Sequence, residues 1–210
     1  MRNAITTTIL LSVFALVGTG LVAFTHYLTK DRIADQKRQF LLRELNSLLP
    51  TKSYDNKLTS DIIKVNSEQY LGTQKSITIY RARKGNKPVA ALFKVIAPDG
   101  YNGNIVILVG IYFNGTLAGI RVIDHQETPG LGDVIEHRKS DWGQRSFREK
   151  SLTNPGTHQW KVRKDGGVFD QFTGATITPR AVVKAVHKAL QYHKRNKQKL
   201  YAPPVKKVTK

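Results

Sequence analysis

Residues 170–178 read Asp-Gln-Phe-Thr-Gly-Ala-Thr-Ile-Thr. Three hydroxyls, on Thr173, Thr176 and Thr178, crowd around Gly174. Directly behind them the pattern Ala181, Val182, Ala185, Val186, Ala189, Leu190 predicts a helix starting at Pro179. Thr178 fits the N-cap and Pro179 the first helical position, where a missing N–H costs nothing. The start of a helix has unpaired backbone N–H groups and a positive dipole end, so it favours a phosphate. Gly174 lets backbone approach a bulky ligand with no Cβ in the way. Ordinary capping by threonine explains the same residues, and on this segment alone both roles stay open.

A second segment with chemical character lies about forty residues upstream, at His125-Gln126-Glu127-Thr128-Pro129-Gly130-Leu131-Gly132-Asp133. Proline and two glycines give a shaped loop, which is either a surface turn or a ligand-binding one.

Both segments carry a family resemblance. Asp170-Gln171-Phe172-Thr173-Gly174-Ala175-Thr176 resembles the flavinylation motif of proteins in which FMN is joined through its phosphate to a threonine hydroxyl. Asp170 matches the opening aspartate, Thr173 the serine-or-threonine, and Gly174-Ala175 the Gly-Ala pair; Gln171 stands where glycine is frequent. The matching acceptor is Thr176. Glu127-Thr128-Pro129-Gly130-Leu131-Gly132 resembles a loop of the same proteins, and Gly100-Tyr101-Asn102-Gly103, Gly110-Ile111 and Trp142 also fit. The layout is similar to that of the RnfG family, the G subunits of the Rnf (or Rsx) membrane electron-transport complex. The NqrC proteins of the sodium-translocating NADH:quinone reductase are relatives. The resemblance covers nearly the whole chain.

It implies an electron carrier holding covalent FMN on Thr176, installed by a flavin transferase. It implies the other subunits of the complex as partners, and a bacterial inner-membrane location with the soluble domain in the periplasm. Around the cofactor it implicates Asp170, Thr173, Gly174, Ala175 and Thr178, and in the loop Glu127, Thr128, Gly130, Leu131 and Gly132. Loop N–H groups would reach the ring's carbonyl oxygens, with Leu131 as apolar contact and Thr128 as hydrogen-bond donor. Asp170 serves either recognition by the transferase or fixation of the turn.

The elements that must position these residues follow from pattern. Residues 5–28 contain no Asp, Glu, Lys or Arg. At ~1.5 Å per residue they reach roughly 36 Å, enough to cross a bilayer core, and the run is too long for a signal peptide. Residues 1–4 form a short flank. Residues 29–50 contain an amphipathic juxtamembrane helix, with Ile33, Phe40, Leu41, Leu45, Leu48 and Leu49 on one face and Pro50 as the stop. Arg2 precedes the span; Lys30, Arg32, Lys37, Arg38 and Arg43 follow it. By the positive-inside rule this balance favours a cytoplasmic domain, opposite to what the resemblance implies.

Residues 51–200 form the soluble domain. Ser76–Ala82 and Val89–Ile96 are predicted strands around Lys84-Gly85-Asn86-Lys87. Ile105–Phe113 and Thr116–Asp124 flank Asn114-Gly115, a type I′ hairpin signal. The fold class is α+β: an N-terminal transmembrane helix, then an FMN-binding domain with a mostly antiparallel twisted sheet and flanking helices.

Composition narrows the chemistry. There is no cysteine, which excludes disulfides, cysteine-ligated clusters and a cysteine nucleophile. Redox work then requires an organic cofactor. No P-loop, Ser-His-Asp signature or dinucleotide fingerprint occurs, so no catalytic residues are assigned. The six histidines show no metal-ligand spacing, and no metal is expected. The net charge is +19, no acidic residue follows Asp170, and residues 201–210 form a basic flexible tail. An alternative function is therefore a membrane-tethered basic binding or scaffold protein contacting anionic lipid or nucleic acid. Only Tyr192 and Tyr201 are available for stacking near that segment, so nucleic acid is not expected.

Overall fold

The computed structural model describes residues 2–203. The basic tail from 204 onward and Met1 lie outside the described residues. The chain divides into two units, residues 1–43 and 44–210. One helix, α1 (Arg2–Leu48), runs through the first and ends in the second.

The first unit is this helix alone. It is long and apolar enough to cross a membrane, with a mean hydropathy of 2.1 over its most apolar window. The anchor and the amphipathic juxtamembrane segment are one uninterrupted helix. No proline or glycine interrupts residues 21–48, so nothing ends the hydrogen-bond ladder between them. The expected amphipathic face divides. Ile33 and Phe40 stay exposed, whereas Leu45, Leu48 and Leu49 are buried in the second unit.

The second unit is built on a five-stranded antiparallel meander in the order β1-β2-β3-β4-β5. Its strands are β1 (Ile62–Val65), β2 (Ile77–Lys84), β3 (Lys87–Ala97), β4 (Ile105–Tyr112) and β5 (Leu117–Asp124). The four longer strands match the predicted ones to within a few residues. β1 has no counterpart among the predicted strands, because four residues are too few to show a period. A short helix α2 (Glu68–Leu71) links β1 to β2.

Asn114-Gly115 does turn the chain, but not as a type I′ hairpin. Gly115 has φ +95, while Asn114 lacks the positive φ that type I′ demands. Gly115 N–H donates to the Tyr112 carbonyl, and Tyr112 N–H to the Thr116 carbonyl. This is the three-residue loop with glycine in the left-handed position. The Asn114 side-chain oxygen accepts from Thr116 N–H and hydroxyl, which holds Asn114 out of that region.

After a long excursion that includes α3 (Trp142–Phe147), the long helix α4 (Ile177–Tyr201) packs on one face of the sheet, over β3 and β4. Val182, Val186, Ala189 and Leu190 join Phe93, Val95, Ile107, Val109 and Ile111 in the core. On the other face, a Cβ at Gly110 would stand 3.5 Å from Leu48 Cβ. Coverage of both faces explains why β3 and β4 read as nearly continuous apolar runs instead of alternating.

The far end of α4 is clamped. Arg81 donates to the Ala202 carbonyl at 2.7 Å, and Arg83 to those of Tyr201 and Ala202 at 3.3 and 3.1 Å. Asp61 holds both guanidinium groups. Cations there satisfy the orphan carbonyls and oppose the negative end of the helix dipole. With its C-terminus fixed, α4 lies along β3 and β4 and also meets the turn at 132–135.

Candidate cofactor site

The excursion between β5 and α4 consists of short 3-10 turns around α3. An aromatic layer consolidates it. Trp142 meets Phe147 and Phe172 edge-on, both with centroids 5.3 Å apart. Phe169 stacks on Phe147 at 4.8 Å and meets Trp160 at a tilt, and His187 of α4 lies parallel to Trp160 at 5.2 Å. His187 is thus structural, and burial lowers its pKa.

This layer anchors the start of the 170–176 segment. Trp142 Nε1–H donates to the Asp170 carbonyl at 3.0 Å. The Asp170 carboxylate pairs with Arg163 at 2.9 Å, both side chains largely exposed. Phe172-Thr173-Gly174-Ala175 then closes a β-turn through Ala175 N–H and the Phe172 carbonyl, 3.1 Å apart. Gly174 is its third residue, with φ +79, the conformation that a type II turn reserves for glycine. Backbone geometry is the reason for glycine here; a Cβ would only touch Leu131 Cδ2, at 3.4 Å.

The helix begins earlier than its sequence pattern predicts. Ile177, not Pro179, is its first residue, and Thr176 occupies the cap position with no side-chain capping bond. Thr178 is not the cap. Its hydroxyl is buried and donates to Glu127 Oε2. Pro179 becomes the third helical residue, where its missing N–H is still harmless. The N–H groups of Ile177 and Thr178 have no intrahelical acceptor, and the first turn carries no acidic residue. Arg180 is engaged elsewhere, in a bidentate pair with Asp165 at 2.6 and 2.8 Å, which lowers the Asp165 pKa.

The 127–132 loop folds back on itself. Leu131 and Gly132 N–H both donate to the Thr128 carbonyl at 3.1 Å. Gly130 N–H donates to Asp133 Oδ1 at 2.9 Å. These three N–H groups therefore have partners within residues 128–133. Asp133 is buried, and Lys139 and the Gly130 N–H hold its pKa below the usual value. His125 shapes the loop entrance: its Nδ1 accepts from Glu127 N–H at 3.1 Å, and its Nε2 faces Glu136 at 3.0 Å.

The two segments meet in one cleft of about 260 Å³. Glu127, Thr128, Leu131 and Gly132 line it from the loop. Gly174, Ala175, Thr176 and Thr178 line it from the turn and helix. Tyr101 and Ile177 complete it. Asp170, Thr173 and Gly130, also expected at the site, do not line it. Tyr101, Leu131 and Ile177 are 65, 45 and 44% exposed, an apolar rim around a polar floor. Ile177 is a site residue that the motifs do not mark. Its one signal in the sequence is an apolar side chain at the very start of a helix, off the buried stripe. Asn102 also reaches the loop, its Nδ2 donating to Thr128 Oγ1 at 3.1 Å.

A half-buried hydroxyl with no capping bond, two free helix-start N–H groups, and an apolar rim suit a ligand with a phosphate and a flat ring. Among the described residues no group of histidines and carboxylates could hold a metal. Fold and cleft together define a membrane-helix protein with a flavin-type binding domain. Residues 100–191 match the FMN-binding domain family, and residues 1–48 match the RnfG N-terminal region. The chain is 52% identical over 206 residues to the G subunit of the ion-translocating oxidoreductase complex of Vibrio atlanticus, covering 98% of each chain. It is 50% identical to the protein of that name from Vibrio cholerae, covering 93% of each. It is 46% identical to that from Shewanella amazonensis, covering 97% of this chain and 94% of the relative. The chain belongs to the family of G subunits of the ion-translocating oxidoreductase complex. Shewanella oneidensis NqrC superposes with a TM-score of 0.49 at 19% identity, over 71% of this chain and 76% of that one.

Proposed function

We propose that this protein is the electron-carrying G subunit of an Rnf/Rsx-type membrane complex, with FMN joined by a phosphodiester to Thr176. The supporting observation is the convergence of the 127–132 loop and Thr176 on one cleft at the start of α4. FMN, when bound, supplies electron transfer, and the protein supplies position and electrostatics. Thr176 offers its hydroxyl to the phosphate, and the helix start favours the remaining negative charge. Tyr101, Leu131 and Ile177 give the ring apolar contact and keep water from it. Attachment is the work of a flavin transferase, and covalency keeps the cofactor from being lost where free FMN is not supplied. The partners are the other subunits of the complex. The location is the bacterial inner membrane, single-pass, with the domain in the periplasm; the charge balance around the helix argues for the opposite side.

The test is the intact mass of the denatured chain produced with its flavin transferase, beside Thr176→Ala. The expected result is a gain of FMN less one water in the wild type and none in the variant. No gain in the wild type, with the transferase active on another target, overturns the proposal.

A further inference from the structure

Glu127 is buried, with 4% of its surface exposed. Buried carboxylates ordinarily face a cation, because desolvating an unpaired charge is expensive. The other acidic side chain buried to this degree, Asp133, has Lys139. Among the described residues Glu127 is in no ion pair. Two neutral donors meet it instead. Asn102 N–H donates to Oε1 at 3.2 Å, and the Thr178 hydroxyl donates to Oε2.

Space has been left for this group. A Cβ at Gly132 would stand 2.8 Å from Oε2; one at Gly100 would meet the Gly103 carbonyl oxygen first, at 2.2 Å, and Oε1 at 2.9 Å. The carboxylate therefore ties together three separate segments: the 100–103 turn, the 127–132 loop and the first turn of α4. All three contribute to the cleft that contains Thr176. A glutamine has the same shape and could tie them equally well, with the Thr178 hydroxyl turned to accept. Geometry alone thus accounts for a side chain of this size at 127, but not for a carboxyl group in place of an amide.

We propose that Glu127 is a positioning and tuning residue, whose carboxylate fixes the cleft and whose unpaired negative charge lowers the midpoint potential of the bound flavin. This rests on the FMN reading above. Reduction adds negative charge to the cofactor, and a neighbouring carboxylate without a counter-cation opposes that in a site of low dielectric. The two hydrogen bonds temper the field without cancelling it, so the two components can be separated by mutation.

The experiment uses the full-length chain in detergent, produced with the flavin transferase, as wild type, Glu127→Gln and Thr178→Val. Covalent loading is measured first by intact mass, and midpoint potentials are then read by spectroelectrochemical titration at fixed pH and salt. Glu127→Gln is expected to keep its flavin and shift the potential upward. Thr178→Val removes a donor from the carboxylate, strengthens its field and shifts the potential downward. Opposite shifts are not what a merely structural role produces. An unchanged or lowered potential in loaded Glu127→Gln overturns the proposal. Where that variant does not fold or load, Thr178→Val decides: a downward shift supports the proposal, and an unchanged or higher potential overturns it. A wild-type chain with no flavin mass overturns the functional reading itself, and this inference with it.

Discussion

His193 makes the stability of the domain dependent on mild acid, by an amount the structure allows to be worked out. It lies on α4 with 1% of its surface exposed, its Nε2 3.0 Å from the Tyr201 hydroxyl. That hydroxyl in turn points to the Ile111 carbonyl at 3.4 Å. Burial, with a smaller contribution from Lys197, lowers the His193 pKa from 6.5 to about 4. Tyr201 is shifted upward by burial and remains a phenol throughout. Above pH 6.5 the imidazole is neutral in both folded and unfolded chains, and stability is complete. As pH falls below that value the unfolded chain binds a proton that the folded one refuses. Stability drains until about pH 4, where the folded chain accepts it too. The full span is worth about 3 kcal/mol, and about 2 kcal/mol of it is gone by about pH 5.

The perturbation is His193→Gln, which keeps a polar group facing Tyr201 and removes the titration. Urea unfolding of the full chain in detergent, at about pH 7.5 and about pH 5, gives the loss for each protein. Tryptophan fluorescence reports it, because Trp142 and Trp160 are both in the core. The wild type should lose about 2 kcal/mol more than the variant between those conditions. His187 is shifted in the same direction and contributes equally to both chains. Asp133 and Asp165 have pKa values lowered from 3.8, so their contributions are lost only below that value, outside the window. Parallel losses in the two proteins would refute the assignment of a buried neutral imidazole.

Other consequences can be checked on the same preparations. Arg81→Ala leaves Asp61 with Arg83 alone and the end of α4 with half of its clamp; unfolding should be easier by about 1.5–3 kcal/mol. Trp142→Phe keeps the aromatic layer but removes the N–H that holds the Asp170 carbonyl. Urea denaturation should register a loss of about 1 kcal/mol, and the rate of flavin attachment at Thr176 should fall because the turn is less well held.

Much of this protein is legible in the chain itself, for local reasons. The apolar run at 5–28, four strands and the long C-terminal helix each declare themselves through unbroken periodicity or composition. The two motifs are tied to one cofactor by the family resemblance they carry, and residues of both line one cleft. What the chain leaves open depends on contacts distant in sequence. Thr178 reads as a cap, yet Glu127, fifty-one residues away, draws its hydroxyl inward, and the helix starts at Ile177 instead. Asn114-Gly115 reads as type I′, yet the bond from Thr116 to the Asn114 side chain selects another turn. The N–H groups of Gly130, Leu131 and Gly132 look free in a Pro-Gly loop, yet Asp133 and the Thr128 carbonyl occupy them. Local propensity determines which elements form. Only packing decides which polar groups in them find partners: the Thr178 hydroxyl meets Glu127, while that of Thr176 makes no capping bond.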